Sequence, residues 1–143
     1  MKLSDLWRKP RPESAPRKPK SAATLVAEAR AHVESLDPAQ VAEEMKRGAL
    51  LVDLRESEEL AREGMIPGAV HAPRGMLEFY ADPKSSYHLA ELQPERRIIL
   101  HCAAGGRSAL AAVTLKQMGY RGVAHLEGGF TAWKKQGYPT KKT

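Results

Sequence analysis

The single cysteine of the chain, Cys102, follows the apolar run Arg97-Ile98-Ile99-Leu100-His101 and precedes Ala103-Ala104-Gly105-Gly106-Arg107-Ser108. A short apolar run bounded by breakers reads as a buried strand, and Ala109 to Met118 as the helix after it. The small residues between let the backbone curl tightly and aim several N–H groups at one point, the Cys102 sulfur. Those amides, the helix N-terminus and the Arg107 charge all favour an anion there, hence a thiolate, which is a nucleophile. An isolated cysteine is more often a small buried hydrophobe. Strand, sulfur, paired glycines, arginine and helix in this order are what build an anion nest.

The rest of the chain supplies elements to position that loop. Residues 22–34 place Leu25, Val26, Ala29 and Val33 near one face of an amphipathic helix. Asp37-Pro38-Ala39-Gln40 offers an N-cap carboxylate, proline at the first helical position and a capping-box glutamine, opening a helix to about Arg47. Ala49 to Leu54 reads as a second buried strand, Glu56 to Arg62 as a helix, Ala69 to His71 as a short strand, and the surroundings of Met76 to Tyr80 as one or two helical turns. Val123 to Leu126 and the helix Phe130 to Gln136 follow. Strands alternating with helices imply an α/β fold, three layers α/β/α about a central, mostly parallel sheet of five strands.

Composition bounds the reading. A chain of 143 residues, 42% hydrophobic, builds one α/β domain with a core. Residues 1–20 carry seven basic side chains against two acidic ones, which is +5 of the total +6. With Pro10, Pro12, Pro16 and Pro19 they read as a basic, disordered arm over 1–21, ahead of the helix 22–34 and a domain over 35–140. The arm fits a solubilising tail, an anionic partner or, more weakly, a transit peptide. The near-neutral remainder gives no electrostatic footprint for nucleic acid. No apolar run is long enough to span a bilayer and one cysteine forms no internal disulfide, so the expectation is a soluble, cytoplasmic protein without membrane partner. His71, His101 and His125 lack the spacing of a metal set, and neither metal nor cofactor is expected.

Over roughly residues 35–138 the sequence resembles the rhodanese-like domain family. The resemblance lies in Leu51-Val52-Asp53-Leu54-Arg55-Glu56, in Ile66-Pro67-Gly68-Ala69, in the spacing of Cys102, Gly105, Arg107 and Ser108, and in Gly128-Gly129-Phe130 through Trp133. It implies a single-domain sulfurtransferase that takes sulfane sulfur from a donor such as thiosulfate as a Cys102 persulfide and passes it to cyanide, a thiol or a protein. Ala103, Ala104, Gly105 and Gly106 would supply the amides, Arg107 would hold the loop and an anionic donor, and Ser108 would support the loop. Asp53 and Arg55 would form a polar network behind the site. Arg74 and Phe79 would line the pocket wall, or else lie on the surface and in the core respectively.

The departures carry expectations too. Ala104 stands where some thiosulfate-using members have a cation, which predicts modest thiosulfate use; Met65 stands where a histidine of structural role often precedes the Ile-Pro-Gly turn, a change expected to be tolerated; and Gly106 stands where a larger residue is frequent, which predicts an open pocket mouth. A cysteine phosphatase has five residues between cysteine and arginine; here four lie between Cys102 and Arg107, too short a loop to cradle phosphate. A non-catalytic or redox-sensing rhodanese-like binding module is the other alternative.

Overall fold

The apolar runs form the middle of a sheet. In the computed structural model, which describes residues 18–143, Leu50–Asp53 (β2), Arg97–His101 (β4) and Gly122–Leu126 (β5) pair in parallel. Val70–His71 (β3) adds to β2 and Glu34–Leu36 (β1) to β5, giving the five-stranded order β1-β5-β4-β2-β3, parallel throughout. The three-layer α/β expectation is met. Most of the basic arm over 1–21 lies outside the described residues.

Side chains alternate across the sheet. Leu50, Val52, Ile98, Leu100 and Val123 pack on one face with Ala111, Ala112 and Leu115 of α5 (Gly106–Gln117) and with Leu77 and Ala81 of α4 (Leu77–Ala81). Leu51, Ile99, Ala124 and Leu126 pack on the other with Val41 of α2 (Pro38–Lys46) and with Phe130 and Trp133 of α6 (Gly129–Lys135). The same alternation sends His125 towards α5, and Asp53 and His101 towards α6.

The Asp37 capping box is present in full, with Gln40 N–H donating to Asp37 Oδ1 at 2.8 Å and Asp37 N–H to Gln40 Oε1 at 2.9 Å. Three expectations are corrected. The first helix, α1 (Ala22–His32), stops short of Glu34, and after Val33 the residues Glu34–Leu36 form β1, too short to show periodicity and ordered by its pairing with β5. It packs along α5 with only Ala29 buried, while Leu25 is exposed. Helix α5 begins at Gly106, not Ala109, because Gly105 at φ 107° makes the sharp turn; Arg107 and Ser108 therefore sit in its first turn. Phe79 is neither core nor pocket wall: it is exposed, edge-on to Tyr87. No helix among the described residues is long and apolar enough to cross a membrane.

Candidate active site

Cys102 sits at the carboxyl end of β4, the edge of a parallel sheet where loops and helix N-termini meet. It is 1% exposed. Gly105 N–H donates to Cys102 Sγ at 3.2 Å, the hydrogen bond the loop backbone gives the sulfur among the described residues, and Ser108 Oγ lies 3.7 Å away. The loop is also held from outside. Phe130 N–H donates to Cys102 O at 2.8 Å and Thr131 N–H to Ala103 O at 3.1 Å, so the first turn of α6 binds the loop's carbonyls. That approach requires Gly129: its φ is 57°, and a Cβ there would come within 2.7 Å of the Ala103 carbonyl.

Arg107 faces a partner that sequence reasoning missed. Its guanidinium binds Glu59 of α3 (Ser57–Glu63) through two hydrogen bonds of 2.8 Å, a fork that fixes the first turn of α5 to α3. The Arg107 hydrogen bonds, outweighing burial, hold the Glu59 carboxyl down to about 2. Glu59 also accepts from Glu56 N–H at 2.7 Å in the capping box of α3. That Glu56/Glu59 spacing was visible in the sequence, but it signals a helix start and says nothing of Arg107.

Behind the loop, on the α6 face, lies a buried ion pair, with the half-exposed Glu63 3.6 Å from Arg55 Nη1. Arg55 Nε and Nη2 bind Asp53 Oδ1 and Oδ2 at 3.1 and 2.9 Å, both side chains fully buried. Arg55 Nη2 also donates to Gly64 O at 2.8 Å, and its guanidinium carbon lies 4.1 Å over the centre of the Phe130 ring. Burial pushes the Asp53 carboxyl up, but Arg55 and His101 outweigh it and hold the group below its usual range. His101, at 3.5 Å from Asp53 Oδ2 and 3.2 Å from Cys102 O, is held below its ordinary value chiefly by burial.

On the α5 face the contacts run outwards instead. Ser108 Oγ is 3.2 Å from Gly105 O and 3.0 Å from His125 Nδ1. His125 Nε2 meets Ser35 Oγ at 3.0 Å and Glu127 Oε2 at 3.3 Å, and Glu127 Oε1 pairs with Arg30 of α1 at 2.9 Å. Helix α1 thus borders the loop: Cβ atoms built on Gly105 and Gly106 would lie 3.2 Å from Arg30 Nη2 and 3.7 Å from Val26 Cγ2. The side of Gly106 expected to be an open mouth therefore faces α1. Ala104 is exposed. Arg74 is placed apart from the loop residues. It binds Glu78 at 3.0 Å and Thr114 at 3.3 Å, roughly two turns along α5, and lines a cleft with Leu25, Ala29 and Leu110.

Comparison with known proteins agrees with this architecture. A family model described as rhodanese-like domain matches residues 37–136. A sulfurtransferase of Allochromatium vinosum is 36% identical over 90 residues, covering 63% of this chain and 76% of that protein. A solved Rhodopseudomonas palustris protein of unknown function, described as a possible tyrosine phosphatase, superposes with a TM-score of 0.81 at 39% identity, covering 88% of this chain and 98% of that one. The polysulfide-sulfur transferase of Wolinella succinogenes, solved as a homodimer, gives a TM-score of 0.69 at 28% identity over 84% of this chain and 86% of that one.

Proposed function

Since this chain belongs to the rhodanese-like domain family, we propose that it is a sulfurtransferase carrying sulfane sulfur as a persulfide on Cys102. The observation that supports this best is the Cys102 sulfur at the end of β4, 3.2 Å from the Gly105 amide, in a loop of four small residues between cysteine and arginine.

The Cys102 thiolate attacks the outer sulfur of a donor such as thiosulfate. A Cys102 S–S bond forms, the donor's S–S bond breaks, and sulfite leaves with the electron pair. Cyanide, a thiolate or a protein thiolate then attacks the outer sulfur, and Cys102 departs as thiolate. Every electron pair comes from sulfur or the acceptor. Amides of Ala103, Ala104, Gly105 and Gly106 receive the persulfide charge, and Ser108 braces the loop through Gly105 O. Arg107 fixes α5 to α3, because Glu59 takes both prongs of its guanidinium, and its charge also faces the Cys102 sulfur. With Arg107 so engaged and Ala104 uncharged, the doubly charged thiosulfate is a poor donor compared with a singly charged persulfide or a protein donor. The same engagement argues against a phosphatase, which needs a free guanidinium for phosphate.

Intact-protein mass spectrometry after brief thiosulfate treatment tests the reading. The expected result is a gain of one sulfur that is absent in Cys102→Ser and removed by cyanide. No gain with thiosulfate or with polysulfide would overturn the transfer role and favour a non-catalytic or redox-sensing binding module.

A further inference from the structure

Cys102 is 1% exposed, so at neutral pH, where hydroxide is scarce, the readiest acceptor for its thiol proton is a group inside the protein. The contacts lead to one: Sγ to Ser108 Oγ at 3.7 Å, then Ser108 Oγ to His125 Nδ1 at 3.0 Å. On the far side of the ring Nε2 meets the Glu127 carboxylate at 3.3 Å and the Ser35 hydroxyl at 3.0 Å. A carboxylate only accepts, so Glu127 favours the proton on Nε2 and leaves the Nδ1 lone pair aimed at Ser108.

We propose that His125 is a positioning residue for the nucleophile: through Ser108 it takes and holds the Cys102 thiol proton, and Glu127, tuned by Arg30 of α1, balances the resulting imidazolium. The Ser108 hydroxyl proton turns from Gly105 O to His125 Nδ1 and passes to it as the Cys102 S–H bond breaks towards Ser108 Oγ, which keeps the thiol proton as its own. The products are a thiolate and an imidazolium; nothing is oxidised or reduced. The proposal rests on the reading of Cys102 as a nucleophile and adds how it is readied.

The groups facing His125 are the Cys102 thiol through Ser108, the uncharged Ser35 of β1, Glu127 after β5 and Arg30 of α1. Burial holds His125 below its ordinary value; Glu127 pushes it up, and Arg30 pushes it down. The ring is therefore neutral near pH 7 and able to accept. Acid fills the acceptor, so proton removal slows as pH falls through the His125 titration. Helix α1 precedes the span matched by the family model, so the Arg30 contribution comes from outside that span.

The test is the rate at which iodoacetamide alkylates Cys102 in the full chain, followed by intact mass across pH. His125→Asn should alkylate at least about tenfold more slowly at neutral pH and come within about threefold of wild type near pH 10, where hydroxide removes the proton directly. An equal loss at every pH, or no loss, overturns the proposal. Should that variant fail to fold, Glu127→Gln and Arg30→Ala, both at half-exposed positions, decide. The acid limb of the profile should move to lower pH in the first and to higher pH in the second; limbs that coincide with wild type overturn the proposal. Alkylation needs no sulfur donor, so this outcome is separate from the thiosulfate experiment: a relay found without persulfide formation sinks the transfer reading alone.

Discussion

Two polar networks touch Cys102 from opposite faces of the sheet, and they differ in where they end. On the α6 face, Asp53, Arg55 and His101 are buried and their hydrogen bonds close on Gly64 O, with the Phe130 ring below; the half-exposed Glu63 is only in charge contact, 3.6 Å from Arg55 Nη1. On the α5 face, Ser108 and His125 are equally buried, but the chain of contacts continues to Glu127 and Arg30, whose side chains are 42% and 41% exposed. A network whose two-pronged ion pair, Asp53 with Arg55, is wholly buried has that charge pair fixed and serves as a brace. One that opens to water has a charge state that solvent and neighbours can adjust. The lesson is that burial of the reacting residue leaves the neighbouring groups free to divide the work, one face holding the loop's carbonyls and the other meeting its sulfur.

Breaking the buried ion pair should have the largest effect. Asp53→Ala leaves the Arg55 guanidinium buried without its carboxylate, and we expect about 3–5 kcal/mol of lost stability in urea unfolding. A loss under about 1 kcal/mol would show that the two faces are not different in kind. Gly129→Ala comes next, since a side chain at φ 57° presses on the Ala103 carbonyl; about 2 kcal/mol or more should be lost, with the α6 amides displaced from the loop. Glu59→Gln removes one half of the fork to Arg107, but the guanidinium is 38% exposed and water screens it, so about 1 kcal/mol is expected. The sign with pH follows. The folded carboxyl titrates at about 2 against an ordinary 4.5, so its contribution is complete above 4.5 and fades as pH falls towards 2. Wild type should lose stability over that window more steeply than Glu59→Gln, as read by melting temperature against pH.

How much of this was legible in the sequence depends on whether a residue's role is local. Strand β4 and the capping box of α2 were read to the residue because an apolar run between breakers and a helix cap are each written within a few positions. Cys102, Gly105, Arg107 and Ser108 were legible together because a tight loop is a local object. Glu59 was not, because its partner lies 48 residues away and either residue alone looks like a surface charge. Nor was the chain from Ser108 to His125 and Glu127, whose members meet only once β5 has paired with β4. His125 alone in a strand is an unassigned histidine. β1 was missed for the same reason, since three residues become a strand only beside β5.

The smallest expected effect separates the two faces most sharply. Arg30→Ala removes half of an exposed pair, which is worth about 0.5 kcal/mol or less, so the melting curve should barely move. If the α5 face is a brace like the α6 face, nothing else should change either. If it sets the charge state of His125, losing the nearby positive charge raises that group's titration from its depressed position. Buried and neutral in the fold, His125 favours the native state fully above the ordinary 6.5 and loses that advantage as pH falls below it, because the unfolded chain binds the proton more readily. Arg30→Ala brings the folded value nearer to the unfolded one. The decline of stability below pH 6.5 should therefore be shallower than in wild type, while stability at pH 8 is unchanged. A variant whose stability falls with acid along the wild-type curve would place Arg30 outside the network, and would leave α1 as packing alone.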